Sequence, residues 1–218
     1  DKINAEIEVG NRFLQDANWV MITYGTSFIY EFLPKKKLVA NCHKIPGKYF
    51  EKRLLTHLEI TDSIYETVTV LKDICKENVQ VLFTVSPVRH IKDGFVENQV
   101  SKANLISALY TVLQVSPSGA EGAYFPSYEI MMDELRDYRF YAEDMLHPNP
   151  VAIDYIWERF KETTISETAF STMAEVGNIQ KSLSHRPFNP KSEGHLKFES
   201  KVREKITKLE NQYSFMKF

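Results

Sequence analysis

The placement of three short apolar runs between helical patterns most limits the folds open to this chain. The runs WVMITY (Trp19 to Tyr24) and VQVLFTV (Val79 to Val85) are rich in β-branched and aromatic residues, as in strands covered on both faces. The run GAYFPSY (Gly122 to Tyr128) is a weaker strand candidate because Pro126 interrupts it. Strands that alternate with helices predict βαβ units, and therefore an α/β fold with a parallel sheet.

Amphipathic patterns between and after these runs predict three helices. The first runs from Asp62 to Lys76, with Thr61 as its predicted N-cap. The second runs from Val100 to Leu113 and carries leucines at steps of four residues. The third begins at Pro150, a residue that suits the first helical position, and Asn149 is its predicted N-cap.

The last quarter of the chain changes character. The segment SLSHRPFNPKSEGH is typical of an extended linker, and Lys197 to Tyr213 is a charged helix with one apolar face. We expect this extension to pack on the main domain or on a partner. At the other end, the Trp19 strand is expected to be an open apolar edge unless something pairs with it. That edge and the absence of a first Met predict a missing N-terminal portion.

Composition and charge exclude several classes of protein. The 27 Lys and Arg residues against 29 Asp and Glu give a formal net charge of -2, which indicates neither a nucleic-acid nor a polybasic membrane partner. No apolar run reaches the roughly 18 residues of a spanning helix. The two cysteines, Cys42 and Cys75, predict reduced thiols in a cytoplasmic protein. The six scattered histidines predict no metal site, and no other cofactor is indicated.

A carboxylate and an imidazole follow the third predicted strand, in the stretch AEDMLHPNP. Ligands of open parallel sheets collect at the carboxyl ends of the strands, so this position is informative. Asp144 lies three residues before His147, so its carboxylate can hold one ring nitrogen while the other acts as a general base. The alternative is a surface Asp near a helix start, beside a partly packed His.

The loop after the second strand also carries groups capable of chemistry. Arg89 can clamp an anionic group, and His90 can polarise a bond or move a proton. The alternative is that Ser86 merely ends the strand and that Arg89 forms a loop ion pair with Asp93.

Smaller polar groups follow the first strand. Gly25 allows a ligand to approach the backbone closely, and the hydroxyls of Thr26 and Ser27 come next, although a plain strand-to-loop turn explains them equally. Further along, Asn41 is a candidate oxyanion donor, and Asn41 or His43 is a candidate polar lining residue.

Four of these stretches together carry a family resemblance. ITYGTSFIYE, VANCHKIP, FTVSPVRHIKDGFVENQVSKANL and the long block YFPSYEIMMDELRDYRFYAEDMLHPNPVAIDYIWERF closely resemble the GSCFA domain family of bacterial proteins. The resemblance covers about residues 1–165, which predicts a GSCFA domain there and a C-terminal extension over 166–218.

The resemblance implies a fold and a chemistry. GSCFA proteins look like distant members of the SGNH (GDSL-like) hydrolase group, which has a flavodoxin-like three-layer α/β/α fold and a Ser-His-Asp triad. The stretch DMLHP fits the D-x-x-H-P block of that group, which makes Asp144 the orienting acid and His147 the general base. The chain lacks the G-S-C-F-A motif, so the nucleophilic serine is expected in an absent N-terminal segment. The turn at Gly25 lacks the Asn of the group's G-x-N-D block, and Asn41 is the candidate substitute.

Three hypotheses about function follow. The first is a hydrolase of ester or acyl groups, with a small molecule or an acylated carbohydrate as substrate, inactive without the missing serine. The second is a non-catalytic carbohydrate-binding or scaffold module that keeps the fold. The third is an enzyme with an internal nucleophile, Ser27 or Ser86.

Overall fold

A parallel sheet of three strands, flanked by helices, organises the first structural unit of the chain. The computed structural model describes residues 2–39, 42–115, 122–189 and 191–218, and it divides the chain into units over 1–158 and 159–218. The strands are β1 (Trp19–Tyr24), β2 (Phe28–Phe32), β3 (Lys37–Val39), β4 (Phe50–Leu54), β5 (Gln80–Val85) and β6 (Ala123–Phe125). The helices are α1 (Lys2–Gln15), α2 (His57–Ile74), α3 (Phe95–Val115), α4 (Ser127–Glu129), α5 (Pro150–Thr164), α6 (Phe170–Ser184) and α7 (Glu193–Gln212). A π-helical segment, Ile130–Leu135, continues α4.

The parallel sheet has the strand order β1-β5-β6. Trp19 is paired with Gln80 and Tyr24 with Val85, so β1 and β5 end together. Phe83 on β5 is fully buried among apolar residues of α2 and α3, and burial of a side chain of this kind contributes about 2 kcal/mol. The predicted α/β class, the parallel sheet and the helical C-terminal part are confirmed.

Two exposed side chains mark β1 as an open edge of this sheet. Among the described residues β1 pairs only with β5, and Trp19 and Met21 are 52% and 61% exposed. The expectation of an open apolar edge at the first strand is therefore confirmed.

Gly122 fixes the entry into β6, the shortest strand of the sheet. Its φ is +139°, and a Cβ there would lie 2.4 Å from the carbonyl oxygen of Val81 on β5. Only glycine allows this close approach of two backbones. The third strand covers Ala123–Phe125 rather than the longer run predicted, because Pro126 cannot donate to the ladder and Ser127 begins α4.

A small antiparallel sheet of order β3-β2-β4 follows β1, and the sequence patterns did not predict it. Every residue of β2 is partly buried, so the strand lacks the alternation of apolar and polar residues that signals a half-buried strand. The strand β3 has only three residues.

The predicted N-cap of α2 is wrong. Thr61 lies inside the helix, where its hydroxyl donates to the carbonyl of His57. The helix begins five residues earlier with Thr56 as N-cap, in a reciprocal capping box with Glu59. The second helix also starts earlier than predicted, at Phe95. The third starts at Pro150 as predicted, with the Asn149 side chain accepting from the Ala152 N–H at 3.1 Å.

The second unit is built on α6 and α7. The predicted apolar face of the last helix is confirmed, because Val202 and Leu209 pack with Ile179 of α6 in one buried cluster. The segment predicted as a linker begins at Ser182, inside α6, which continues to Ser184. Within the described ranges, no helix combines the length and the apolar character needed to cross a membrane.

Candidate functional site

The candidate site lies at the carboxyl ends of β1 and β5, where one buried lysine joins the two strand ends. Lys102 of α3 is 1% exposed, and its ammonium group donates to the carbonyl oxygens of Gly25 and Ser86, each at 2.7 Å. Burial lowers the pKa of Lys102 to about 8. The lysine therefore holds together the two loops that the sequence marks as candidates.

Asp144 and His147 form a hydrogen-bonded pair. Oδ2 of Asp144 lies 2.6 Å from Nδ1 of His147, while its Oδ1 accepts the backbone N–H groups of Leu146 and His147 at 2.9 and 3.0 Å. These backbone bonds and the imidazole lower the pKa of Asp144 to about 2. Met145 has φ +59°, which closes the turn that brings the carboxylate back to the imidazole. The carboxylate thus stays ionised and fixes the ring.

The outer nitrogen of His147 is available for chemistry. Within the described part of the chain, Nε2 of His147 has no hydrogen-bond partner, and the side chain is 59% exposed. An imidazole held at Nδ1 and open at Nε2 has the geometry of a general base.

His90 lies between Gly25 and the turn that carries Asp144 and His147. Its backbone N–H donates to Oδ1 of Asn98 at 2.8 Å, which fixes the loop after β5. Burial, then the Lys102 ammonium and His147, lower the pKa of His90 below its usual value. His90 is therefore a neutral imidazole near neutral pH, suited to donate or accept a hydrogen bond.

Arg89 supports the turn that carries Asp144 and His147. Its backbone N–H and its Nη1 donate to the carbonyls of Leu146 and Met145 at 3.1 and 3.0 Å. The guanidinium carbon lies 5.4 to 5.8 Å from the ring centres of Phe95, Tyr138 and Tyr141. The alternative of an Arg89–Asp93 ion pair is wrong, because Asp93 pairs with Lys52 at 2.6 Å.

The hydroxyls after β1 are engaged by α3. Ser27 is 1% exposed, and its N–H and hydroxyl both bond to the Ser101 side chain, at 2.8 and 3.2 Å. The Thr26 hydroxyl is also bonded to Ser101, at 2.9 Å. This burial argues against Ser27 as a nucleophile, because a substrate cannot reach its oxygen.

The remaining predicted residues are spread around this edge. The hydroxyl of Ser86 accepts the N–H of Val88 at 3.2 Å, so it closes the loop after β5. His43 lies in the turn after β3 with φ +46°, away from the lining of the cleft described next. Asn41, the candidate oxyanion donor, lies outside the described residues.

An open cleft of about 580 Å³ joins these groups. Of the predicted residues, Thr26, Arg89, His90 and His147 line it. The far wall comes from the antiparallel sheet, through Phe28 and Tyr30 among others. A pocket of this volume can hold a small organic ligand beside His147.

The sequence patterns did not indicate three residues that support the candidate site: Asn98, Ser101 and Lys102, all buried on α3. They hold His90, the Gly25 turn and the strand ends. One signal was available, since Asn98 lies three residues before Ser101 and four before Lys102, on the helix face that also carries Leu105. A polar residue on the apolar face of a helix is usually buried and hydrogen-bonded. Here its partners are mainly backbone groups of the loops after β1 and β5.

Comparison with known proteins gives the family. The family model described as GSCFA family matches residues 1–160, and the model described as GSCFA domain protein, C-terminal domain, matches residues 176–218. No curated protein and no solved structure matches the chain. The first model alone covers well over half of the sequence, including every residue of the candidate site. The chain therefore belongs to the GSCFA family.

Proposed function

We propose that this chain is part of a hydrolase that cleaves ester or acyl groups. Asp144 and His147 are two members of its SGNH-like triad. The observation that carries the proposal is the 2.6 Å contact between Oδ2 of Asp144 and Nδ1 of His147, with Nε2 open to solvent beside the cleft. The carboxylate also accepts two backbone N–H groups of its own turn, so its orientation toward the imidazole is fixed.

The chemistry follows from the two ends of the imidazole. Asp144 keeps the proton of the neutral ring on Nδ1, so Nε2 can take the proton of a serine hydroxyl as its oxygen attacks the carbonyl carbon. The imidazolium that forms is stabilised by the carboxylate. It then returns the proton to the departing alcohol, which leaves an acyl-enzyme, and water repeats the sequence to release the acid.

The nucleophile in this proposal lies outside the described residues. No hydroxyl of the described ranges is bonded to Nε2 of His147, and Ser27 is committed to Ser101. We place the serine in a segment that precedes Asp1, as the resemblance to the SGNH group implies. An acylated carbohydrate is the proposed substrate class.

The test is ester hydrolysis by the full-length protein. Turnover of p-nitrophenyl acetate and of acetylated oligosaccharides is measured for wild type and for His147→Ala. We expect a loss of at least about 100-fold in kcat, the usual contribution of a general base. The matched control is His57→Ala, which removes a histidine bonded to Thr111 at 3.1 Å, away from the cleft. Full activity of His147→Ala would overturn the proposal.

A non-catalytic binding module is the second candidate, and one observation favours it. The Ser27 N–H, which follows the strand end where an oxyanion donor is expected, is already bonded to Ser101 at 2.8 Å. A turn without a free donor stabilises an oxyanion poorly. Full-length protein that binds an oligosaccharide and leaves every ester of the panel intact would support this candidate.

A further inference from the structure

The cleft beside His147 carries more positive than negative charge. Its lining includes the cations Lys52, Arg89 and Lys92 and the carboxylate Asp93. That carboxylate is already paired with Lys52 at 2.6 Å. The excess of positive charge is notable because the whole chain has a net charge of -2. A cleft lined by one sign of charge attracts ligands of the opposite sign.

Arg89 has no carboxylate partner among the described residues. Its Nη1 donates to the carbonyl of Met145, and its other contacts are aromatic rings. Asp137 lines a second hollow together with Arg89, but its carboxylate pairs with Arg139 at 3.0 Å. The ring contacts hold the guanidinium in place while leaving N–H groups unused. A fixed guanidinium fork with free donors binds carboxylate or phosphate in bidentate fashion.

Lys102 adds a second unneutralised cation behind the cleft. It is bonded to two carbonyl oxygens and to no carboxylate. Asp144 is a negative group beside His147, and its two oxygens are occupied by three N–H groups of Leu146 and His147. A buried charge interacts more strongly than an exposed one, because water screens it less.

We propose that the cleft binds an anionic group of its ligand, a carboxylate or a phosphate, on the guanidinium of Arg89, with Lys102 providing long-range attraction from beneath. This names the charge of the substrate for the site above, and it rests on the proposed function only in calling that ligand a substrate. Lys92, at the exposed rim, steers the anion toward Arg89.

The experiment compares three ligands that share one aromatic ring. Benzoate, phenyl phosphate and benzamide are titrated into the full-length protein at low ionic strength, and dissociation constants come from NMR shifts of the His90 and His147 imidazoles. We expect at least one anion to bind about tenfold or more tightly than benzamide, with a preference that falls as salt is added. Whichever of benzoate and phenyl phosphate binds more tightly identifies the anionic group.

Variants assign the preference to a residue. Arg89→Gln should remove most of it, and Lys102→Met should reduce it. The matched control, Arg12→Gln, removes the same charge from an exposed position of α1 and should retain the preference. Arg89→Lys keeps the charge without the fork, so it should bind the anions with intermediate affinity.

Two results would overturn the inference. One is wild-type protein that binds benzamide as tightly as both anions, a result that needs no variant to fold. The other is an equal loss of preference in Arg12→Gln and Arg89→Gln. The outcome is independent of catalysis. Anion binding without ester hydrolysis would support this inference and count against the proposed hydrolase. Ester hydrolysis without a preference for anions would support the hydrolase and overturn this inference.

Discussion

The Nε2 atom of His90 lies 3.3 Å from the position that a β-carbon would occupy on Gly25. A methyl group there is closer to the imidazole than ordinary van der Waals contact, so either the ring or the turn after β1 must shift. Gly25→Ala should displace His90 and lower the free energy of unfolding by roughly 1 kcal/mol, as mild overpacking does. The imidazole NMR signals of His90 and a denaturation curve measure both effects.

Gly10→Ala is the matched control for that change. Gly10 lies inside the exposed helix α1, and a β-carbon there meets nothing within 4 Å. Alanine favours a helix interior over glycine by up to about 1 kcal/mol, so this variant should be as stable as wild type or more stable. A Gly25→Ala protein with unchanged His90 signals would contradict the close contact.

The fold was predictable where a continuous apolar run marked a strand. β1 and β5 are apolar along their length, so their bounds follow from the sequence within a residue. The small sheet of β2, β3 and β4 was not predictable from the sequence. Its stability comes from pairing between strands and from contacts such as that of Phe32 with Phe50, whose ring centres are 5.3 Å apart. Such pairing has no signature within a single strand.

The contact between Asp144 and His147 was predictable from the sequence, and the buried groups that support the site were not. The two residues lie three positions apart, so their spacing alone allows a hydrogen bond. Lys102 reaches Gly25 across 77 positions of the chain, and only the register of α3 on the sheet brings them together. Long-range contacts of this kind depend on tertiary packing, which local patterns do not encode.

The ionisation of Asp144 gives a prediction with a defined pH window. Its pKa is lowered from the ordinary 3.8 to about 2, so the unfolded chain takes up the proton first as pH falls. The stabilisation is fully present above about pH 4 and is lost as pH falls through 2. The carboxyl carbon signal of Asp144 should titrate near pH 2, and a midpoint close to 4 would contradict the hydrogen bonds described.

Asp144→Asn separates the turn from the tautomer. The amide oxygen can still accept the N–H groups of Leu146 and His147, whereas its NH2 group donates to Nδ1 of His147 and moves the ring proton to Nε2. Nitrogen NMR of the imidazole should report the switch. Ester hydrolysis by the full-length protein should fall by about 100-fold or more, since a protonated Nε2 is no base.

The capping box of α2 predicts a local stability effect. The Thr56 hydroxyl accepts the N–H of Glu59 at 3.3 Å, and the Glu59 carboxylate accepts the N–H of Thr56 at 2.9 Å. Thr56→Ala should cost about 1 kcal/mol in urea denaturation, while Thr56→Ser keeps the hydroxyl and should cost little. An equal cost for both variants would mean that the methyl group, and not the cap, matters.

Lys102 predicts an unusual dependence of stability on alkaline pH. Its pKa is lowered by burial from 10.5 to about 8, so between these values the unfolded chain holds a proton that the folded chain has released. The free energy of unfolding therefore gains from Lys102 as pH rises through that interval, by up to about 1.4 kcal/mol per pH unit. The free energy of unfolding of wild type, relative to that of Lys102→Met, should therefore increase from pH 8 to pH 10.

The control is Lys76→Met, which removes a half-exposed lysine that lies 3.8 Å from Asp16. The difference in free energy of unfolding between wild type and Lys76→Met should stay flat over the same range, because this side chain is half-exposed in the folded protein. Guanidinium denaturation at several pH values measures both variants. If the Lys102→Met difference is as flat as the control, the lysine is charged in the folded protein throughout the range, and the two carbonyl bonds to Gly25 and Ser86 outweigh its burial.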